Sequence, residues 1–301
     1  MSIALPILSA PEAAPRKRLA PWLKKPLPSS VAVSQTRQLL DGLELETVCS
    51  EARCPNLNEC WSKGTATFMI LGARCTRRCH YCAVTTAPPE PVKTDEPDRL
   101  AEAAARMGLM HVVITSVARD DLRDGGALHF SRCIEAVHKR LPQSIIEVLT
   151  PDFQGNRKAI ETVCDANPHI FNHNIETVER LQRAVRPAAR YERSLSVLSH
   201  INQYRPQIVT KSGMMLGLGE RPEEIKQTLA DLRHHHCQIL TLGQYLQPGD
   251  IHVPVQRFVS PEEFDHCGNL ARQMGFASVA SGPFVRSSYN AKEVYEQLSH
   301  V

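Results

Sequence analysis

The sequence predicts an α/β protein, a partial (β/α)6-type TIM barrel with an extension before it and a closing segment after it. Three observations carry this. From residue 65 onward, short β-like runs alternate with helical patterns. Polar residues follow each of the first strand-like runs. Ahead of the alternation, and just inside it, six of the ten cysteines fall into two triplets. Alternating β and α segments imply parallel strands joined by right-handed crossovers. A doubly wound sheet is the competing arrangement.

The first 30 residues read as an extended arm. Pro6, Pro11, Pro15, Pro21, Pro26 and Pro28 preclude a regular helix, and Arg16, Lys17, Arg18, Lys24 and Lys25 make the segment locally basic. Residues 34–48 carry a helical pattern through Leu39, Leu40, Leu43 and Leu45. Residues 49–64, dense in Cys, Asn and Pro, read as irregular. Such a segment needs something besides a hydrophobic core to order it, and metal binding supplies that free energy.

The expected strands are Thr67–Leu71, His111–Thr115, Ile145–Leu149, His169–Asn172, Gly213–Gly217, Ile239–Leu242 and Ala277–Ala280. Between them lie helical patterns at Pro97–Met107, Ala127–Leu141, Asn156–Ala166, Val178–Val185, Tyr191–Tyr204, Pro222–His236 and Pro261–Met274. In a barrel, function collects at the C-terminal ends of the strands. There the chain places the second cysteine triplet, Arg119-Asp120-Asp121, Thr150-Pro151-Asp152, Asn172-His173-Asn174 with Glu176, Gly217–Glu220, and Gln244-Tyr245. The run His234-His235-His236 reads as a solvated helix end, favoured by the helix dipole.

Composition excludes several classes. The chain has 301 residues, 42% apolar and 22% charged, as ordinary globular proteins do. A formal charge of +3 is too mild to argue for nucleic acid. No apolar run is long enough to span a bilayer, and Met1–Ser9 lacks a secretory n-region and h-region. Thiols of such a chain are expected to stay reduced, in the cytoplasm. Cys133, Cys164, Cys237 and Cys267 read as small buried hydrophobes.

The triplets carry the chemistry. Cys49, Cys54 and Cys60 are spaced C-x4-C-x5-C; Cys75, Cys79 and Cys82 are spaced C-x3-C-x2-C. Each offers three thiolates and stops one short of four. An iron–sulfur cube held by three cysteines leaves one iron open for another ligand. A zinc knuckle wants four ligands. His80 is the nearest candidate for a fourth, but it is wedged beside Cys79.

Cys75-x3-Cys79-x2-Cys82 after a first barrel strand resembles the radical S-adenosylmethionine (SAM) superfamily. The first triplet narrows this to the lipoyl synthase family. So do Glu51-Ala-Arg-Cys-Pro-Asn, Val113-Ile-Thr-Ser-Val, Arg119-Asp-Asp-Leu, Phe171-Asn-His-Asn-Ile-Glu-Thr, Lys211-Ser-Gly-Met-Met-Leu-Gly-Leu-Gly-Glu, Leu242-Gly-Gln-Tyr-Leu-Gln-Pro and Ser281-Gly-Pro-Phe-Val-Arg-Ser-Ser-Tyr. The likeness covers roughly residues 21–290. One departure is Ala118, where the family often has Asp.

The resemblance implies two [4Fe–4S] clusters and SAM. Cys75, Cys79 and Cys82 would hold the SAM cluster, with Tyr81 near the adenine and Asn172, Asn174 and Glu176 near SAM. Ordinary helix capping is the competing reading of those last three. Cys49, Cys54 and Cys60 would hold an auxiliary cluster whose fourth ligand is a serine of Arg286-Ser287-Ser288-Tyr289. Ser288 is the choice and Ser287 the alternative. The implied division is a cluster-binding extension over 1–64, a barrel over 65–285 and a C-terminal lid over 286–301. The implied activity is insertion of two sulfur atoms at C6 and C8 of a protein-bound octanoyl-lysine. Implied partners are octanoylated carrier domains (2-oxoacid dehydrogenase E2, glycine cleavage H protein), an electron donor such as ferredoxin or flavodoxin, and an iron–sulfur carrier for cluster repair. Neither nucleic acid nor membrane is expected.

Overall fold

The computed structural model describes residues 18–24, 30–62, 65–289, 291 and 295. Most of the expected arm, including Arg16, Lys17 and Lys25, and most of the segment after Tyr289 lie outside the described residues. The arm's described part makes one 3-10 turn, Pro21–Leu23. It is pinned by burial of Leu23 and by the Trp22 indole, which donates to Val259 O at 3.1 Å.

The extension is more ordered than its composition suggests. Helix α1 (Ser30–Gly42) is followed by the two-residue strand β1 (Glu46–Thr47), so the single helix expected over 34–48 is broken. Helices α2 (Val48–Glu51) and α3 (Leu57–Ser62) replace the irregular stretch. Thr47 caps α2, its hydroxyl accepting from Ser50 N at 3.3 Å.

Strand β2 (Thr67–Ile70) opens the barrel. The short pair β3 (Arg74–Cys75) and β4 (Thr85–Thr86) closes a loop, and α4 (Glu96–Arg106) leads to β5 (His111–Ser116). The alternation continues through α5 (Ala127–Arg140), β6 (Ile145–Leu149), α6 (Arg157–Asp165), β7 (Ile170–Asn172), α7 (Gln182–Val185) and α8 (Tyr191–Tyr204). It ends with β8 (Val209–Leu216), α9 (Pro222–His234), β9 (Ile239–Gln244), α10 (Pro261–Gln273) and β10 (Ser278–Gly282). The sheet order is β1-β2-β5-β6-β7-β8-β9-β10. Only β1 is antiparallel, pairing Glu46 with Met69 and Thr47 with Phe68. Among the described residues β10 pairs only with β9, so the seven parallel strands form an open, partial barrel.

Strand alternation sorts the side chains. Phe68, Ile70, Val112, Ile114, Ile146, Val148 and Phe171 face outward and pack with Leu100, Ala104, Phe130, Ile134 and Val137 of α4 and α5. Met214, Leu216, Leu240 and Leu242 do the same against Leu229, Leu232 and Phe264. The inner face is more polar. Lys211 and Glu147 are both fully buried and pair at 2.8 and 3.1 Å. Burial alone would raise the Glu147 carboxyl, but Lys211 and then His111 outweigh it and hold Glu147 ionised. This pair explains why β8 begins at Val209, four residues before the expected Gly213. Its start reads as polar only because the barrel interior supplies a partner. Among the described residues, no helix is long and apolar enough to cross a membrane.

Candidate functional site

Loop geometry after β2 sets the second cysteine triplet. Leu71 and Gly72 both take left-handed backbone, φ 69° and 84°, turning the chain sharply out of the strand. Cys75 then sits on β3, whose pairing with β4 clasps the loop carrying Cys79 and Cys82. Neighbouring loops fasten it. Arg77 is bidentate to Asp120 at 2.6 and 2.8 Å and also meets Asp152 at 2.7 Å. Thr76 N donates to Ala118 O, His80 N to Val185 O, and the His252 ring to Cys82 O. The His80 ring meets Ala184 O at 2.8 Å and is exposed, so it does not turn inward toward the thiols.

The first triplet comes from the extension. Cys49 lies on α2, Cys54 in the turn after it, and Cys60 on α3. The C-terminal segment straps across them. Asn56 Nδ2 donates to Phe284 O at 2.7 Å, and the Tyr289 hydroxyl to Glu59 Oε1 at 2.9 Å. Thr67 links the two sides: its N–H points at the Cys49 thiol and its hydroxyl donates to Ser288 Oγ at 2.8 Å. Ser287 Oγ instead faces Asn174, 2.7 Å from Nδ2 and 3.0 Å from Oδ1.

One cavity of about 530 Å³ connects these parts. All six cysteines line it, with Tyr81, Asn174, Glu176, Ser287 and Ser288. Glu176 has left-handed backbone (φ 67°), held by its N–H on Gly213 O and by Met215 N on its carbonyl. Its Oε1 accepts from the Tyr81 hydroxyl and from Asn174 Nδ2, both at 3.0 Å. Burial and the Glu176 charge push the Tyr81 phenol well upward, so it remains a neutral donor. The capping reading of Asn174 and Glu176 does not hold, because the 3-10 turn Glu179–Leu181 has no side-chain cap.

Asn172 requires a correction. It lies off the cavity wall, fully buried, with Nδ2 donating to Glu147 Oε1 at 3.2 Å. Two residues on, Asn174 is the side chain that reaches the cavity. The set Arg119-Asp120-Asp121 is structural: Arg119 pairs with Asp121 and Asp120 with Arg77.

The sequence reading missed Arg186. It is 8% exposed, lines the cavity, and donates to Asn174 O and Ile175 O. Its Nε has no partner, and among the described residues no carboxylate pairs with it. Ser116 Oγ and Thr150 Oγ1, on two other wall residues, are also buried and unpartnered. Unsatisfied buried polar atoms beside an unpaired cation fit a bound polar ligand carrying negative charge.

The thiols fit metal. Burial pushes Cys49 and Cys79 upward and Cys82 up to about 12, against which Arg186 pulls Cys79 down. Thiols bordering one cavity in this way ionise when a metal centre is present to receive them. Among the described residues, no three Cys, His, Asp or Glu side chains converge as a single ion would require. A four-iron cube spreads its ligands over separate irons, so two three-cysteine sets along one cavity suit clusters better than zinc.

An open parallel barrel whose first strand feeds a C-x3-C-x2-C loop into this cavity defines a radical SAM enzyme. Residues 69–232 match the Radical SAM superfamily, and residues 8–54 match the N-terminal domain of lipoyl synthase. The chain is 54% identical to lipoyl synthase of Nitrosococcus oceani over 277 residues, covering 92% of this chain and 86% of that protein. It is 51% identical to lipoyl synthase of Rhodopirellula baltica over 304 residues, covering 98% and 96%. The chain belongs to the lipoyl synthase family. In fold it resembles HydG, a maturase of the [FeFe]-hydrogenase (TM-score 0.57, 12% identity, 82% of this chain and 65% of that one). It also resembles Streptococcus suis SuiB bound to S-adenosylmethionine (TM-score 0.54, 11% identity, 72% and 51%). Its cofactors are [4Fe–4S] clusters and SAM.

Proposed function

We propose that this enzyme inserts sulfur at C6 and C8 of an octanoyl group amide-linked to a lysine of a carrier domain. The observation that carries this is the single cavity shared by both cysteine triplets. Cys75, Cys79 and Cys82 would hold the SAM cluster. Cys49, Cys54 and Cys60, with Ser288, would hold the auxiliary cluster. Ser288 is preferred to Ser287 because Thr67 ties it to Cys49, while Ser287 is engaged by Asn174. When bound, the first cluster and SAM supply a deoxyadenosyl radical for unactivated C–H bonds, and the second cluster supplies sulfide.

The chain's own residues bind, orient and exclude water. Arg186 offers its unpaired charge to an anionic group of SAM, such as its carboxylate. Asn174, Glu176 and Tyr81 form a hydrogen-bonded wall beside the cluster loop. Met69, Val117, Leu149 and Met215 line the cavity with apolar surface suited to an acyl chain. The division into extension 1–64, barrel 65–285 and lid 286–301 follows these roles. The proposed setting is reducing and cytoplasmic, where thiols outside the clusters stay reduced. An electron donor such as ferredoxin or flavodoxin and a cluster-repair carrier complete the proposal.

Anaerobically reconstituted enzyme, SAM, reductant and an octanoyl-lysyl peptide should yield a peptide heavier by two sulfur atoms. An unchanged peptide mass would sink the proposal. Cys54→Ala should keep SAM cleavage and lose sulfur insertion, whereas Cys75→Ala should lose both.

A further inference from the structure

The rim of the barrel mouth is electrostatically lopsided. Over β2, β5, β6 and β7, Arg78, Arg123, Arg157, Lys158, Arg183 and Arg190 are all exposed. None of their side chains makes an ion pair or hydrogen bond among the described residues. The carboxylates of the same loops are used internally. Asp120 and Asp152 hold Arg77, Asp121 holds Arg119, Asp124 accepts from Gly126 N and Leu128 N, and Glu176 serves the cavity. Exposed acids without an ion pair on this sector reduce to Asp98, Glu179 and Glu192.

Three of the cations also stand where the fold alone disfavours them. Arg157 and Lys158 open α6 and Arg190 is the N-cap of α8, at the positive ends of helix dipoles. The first turn of α6 holds no acid. Elsewhere α4, α9 and α10 open with Glu96 and Asp98, Glu223-Glu224 and Glu262-Glu263, as a dipole prefers, although Arg221 stands at the N-cap of α9. At the starts of α6 and α8 cations thus stand against local stability, on a chain whose net charge is only +3. The loops bearing them are joined into one face. Arg77 ties the Arg78 loop to that of Arg123 through Asp120, and His80 ties it to the Arg183 turn through Val185 O and Ala184 O.

We propose that this arginine-rich half-rim is the docking surface for the carrier protein, and that it selects carriers with an acidic face around the octanoylated lysine. The inference rests on the carrier-borne substrate of the proposed function. Complementary charge raises the rate of encounter and fixes which way the carrier faces, so that its lysine arm enters the mouth.

Arg157→Glu/Lys158→Glu and Arg190→Glu test it. Acids at these helix starts favour the helices, so folding is kept. Each variant should raise KM for an octanoylated carrier domain about tenfold, mainly through a lower kon, and leave kcat unchanged. Turnover of a short uncharged octanoyl-lysyl peptide should not change. Raising salt from about 50 to about 300 mM should weaken the carrier reaction of the wild type and leave the peptide reaction alone. Equal KM for the carrier in wild type and variants, or a salt-independent KM, would overturn the docking surface. Failure of the wild type to convert even the peptide would instead overturn the proposed function beneath it.

Discussion

Arg186 shows how a functional residue hides in sequence. It sits in Arg-Ala-Val-Arg-Pro, a stretch that reads as an ordinary basic helix end. Only the fold turns it under Asn174 and Ile175, buries it and leaves it without a carboxylate. A buried cation of this kind costs stability unless a ligand completes it. Arg186→Met should therefore weaken SAM binding by roughly 10- to 100-fold, the range of one charge-assisted hydrogen bond. Iron content should remain near that of the wild type. SAM titration followed by the cluster's EPR signal checks this, and an unchanged affinity would remove Arg186 from the SAM site. Asn172 is the opposite case. It ends β7, two positions before Asn174, and period-2 alternation cannot say how deep along the barrel each lies. Depth decided the outcome: one carboxamide meets Glu147, the other the cavity.

Among the elements, the barrel strands and helices were legible because apolar runs and helical periodicity recur with regular spacing. Boundaries failed where the chain made its own polar interior, as at Val209–Ser212, or where two residues suffice to pair, as in β1. The cysteine segment read as irregular because α2 and α3 are too short for periodicity to register. The C-terminal strap was expected as a lid from the family resemblance of Arg286-Ser287-Ser288-Tyr289. The structure adds how it fits: Gly243 lets the chain at Val285 and Arg286 pass against β9, where a Cβ would overlap the Val285 carbonyl. Because that obstacle is backbone, it cannot rotate away, and Gly243→Ala should cost about 1–3 kcal/mol of strap docking. The variant should lose about half its iron, the auxiliary cube, and be cut faster by protease near Phe284–Tyr289. Full iron retention would show that the strap does not close the first triplet.

At the scale of the whole molecule, acid stability depends on buried groups that join the loops over β6 and β7 to α8. His173 lies inside, its Nδ1–H donating to Thr150 O and its Nε2 accepting from the Ser194 hydroxyl, so both nitrogens are satisfied in the neutral ring. Burial first, then the nearby Arg186 charge, bring it down to about 4. Unfolded chain takes up this proton below about 6.5 while the folded form refuses it until about 4, so stability falls as pH drops through that window. From pH 7.5 to 5 the loss attributable to His173 is about 2 kcal/mol. Asp152 acts in a lower window. Burial pushes its carboxyl up, but Arg77 and then His173 outweigh that and hold it at about 2, so its contribution is present above about 3.8 and lost toward 2. Urea unfolding of anaerobic protein at pH 7.5 and 5 separates the two. His173→Asn should flatten the loss between those values, and Asp152→Asn should leave its slope intact while lowering stability at both. If His173→Asn retained the full wild-type pH dependence, the buried neutral imidazole would not be what fastens these loops.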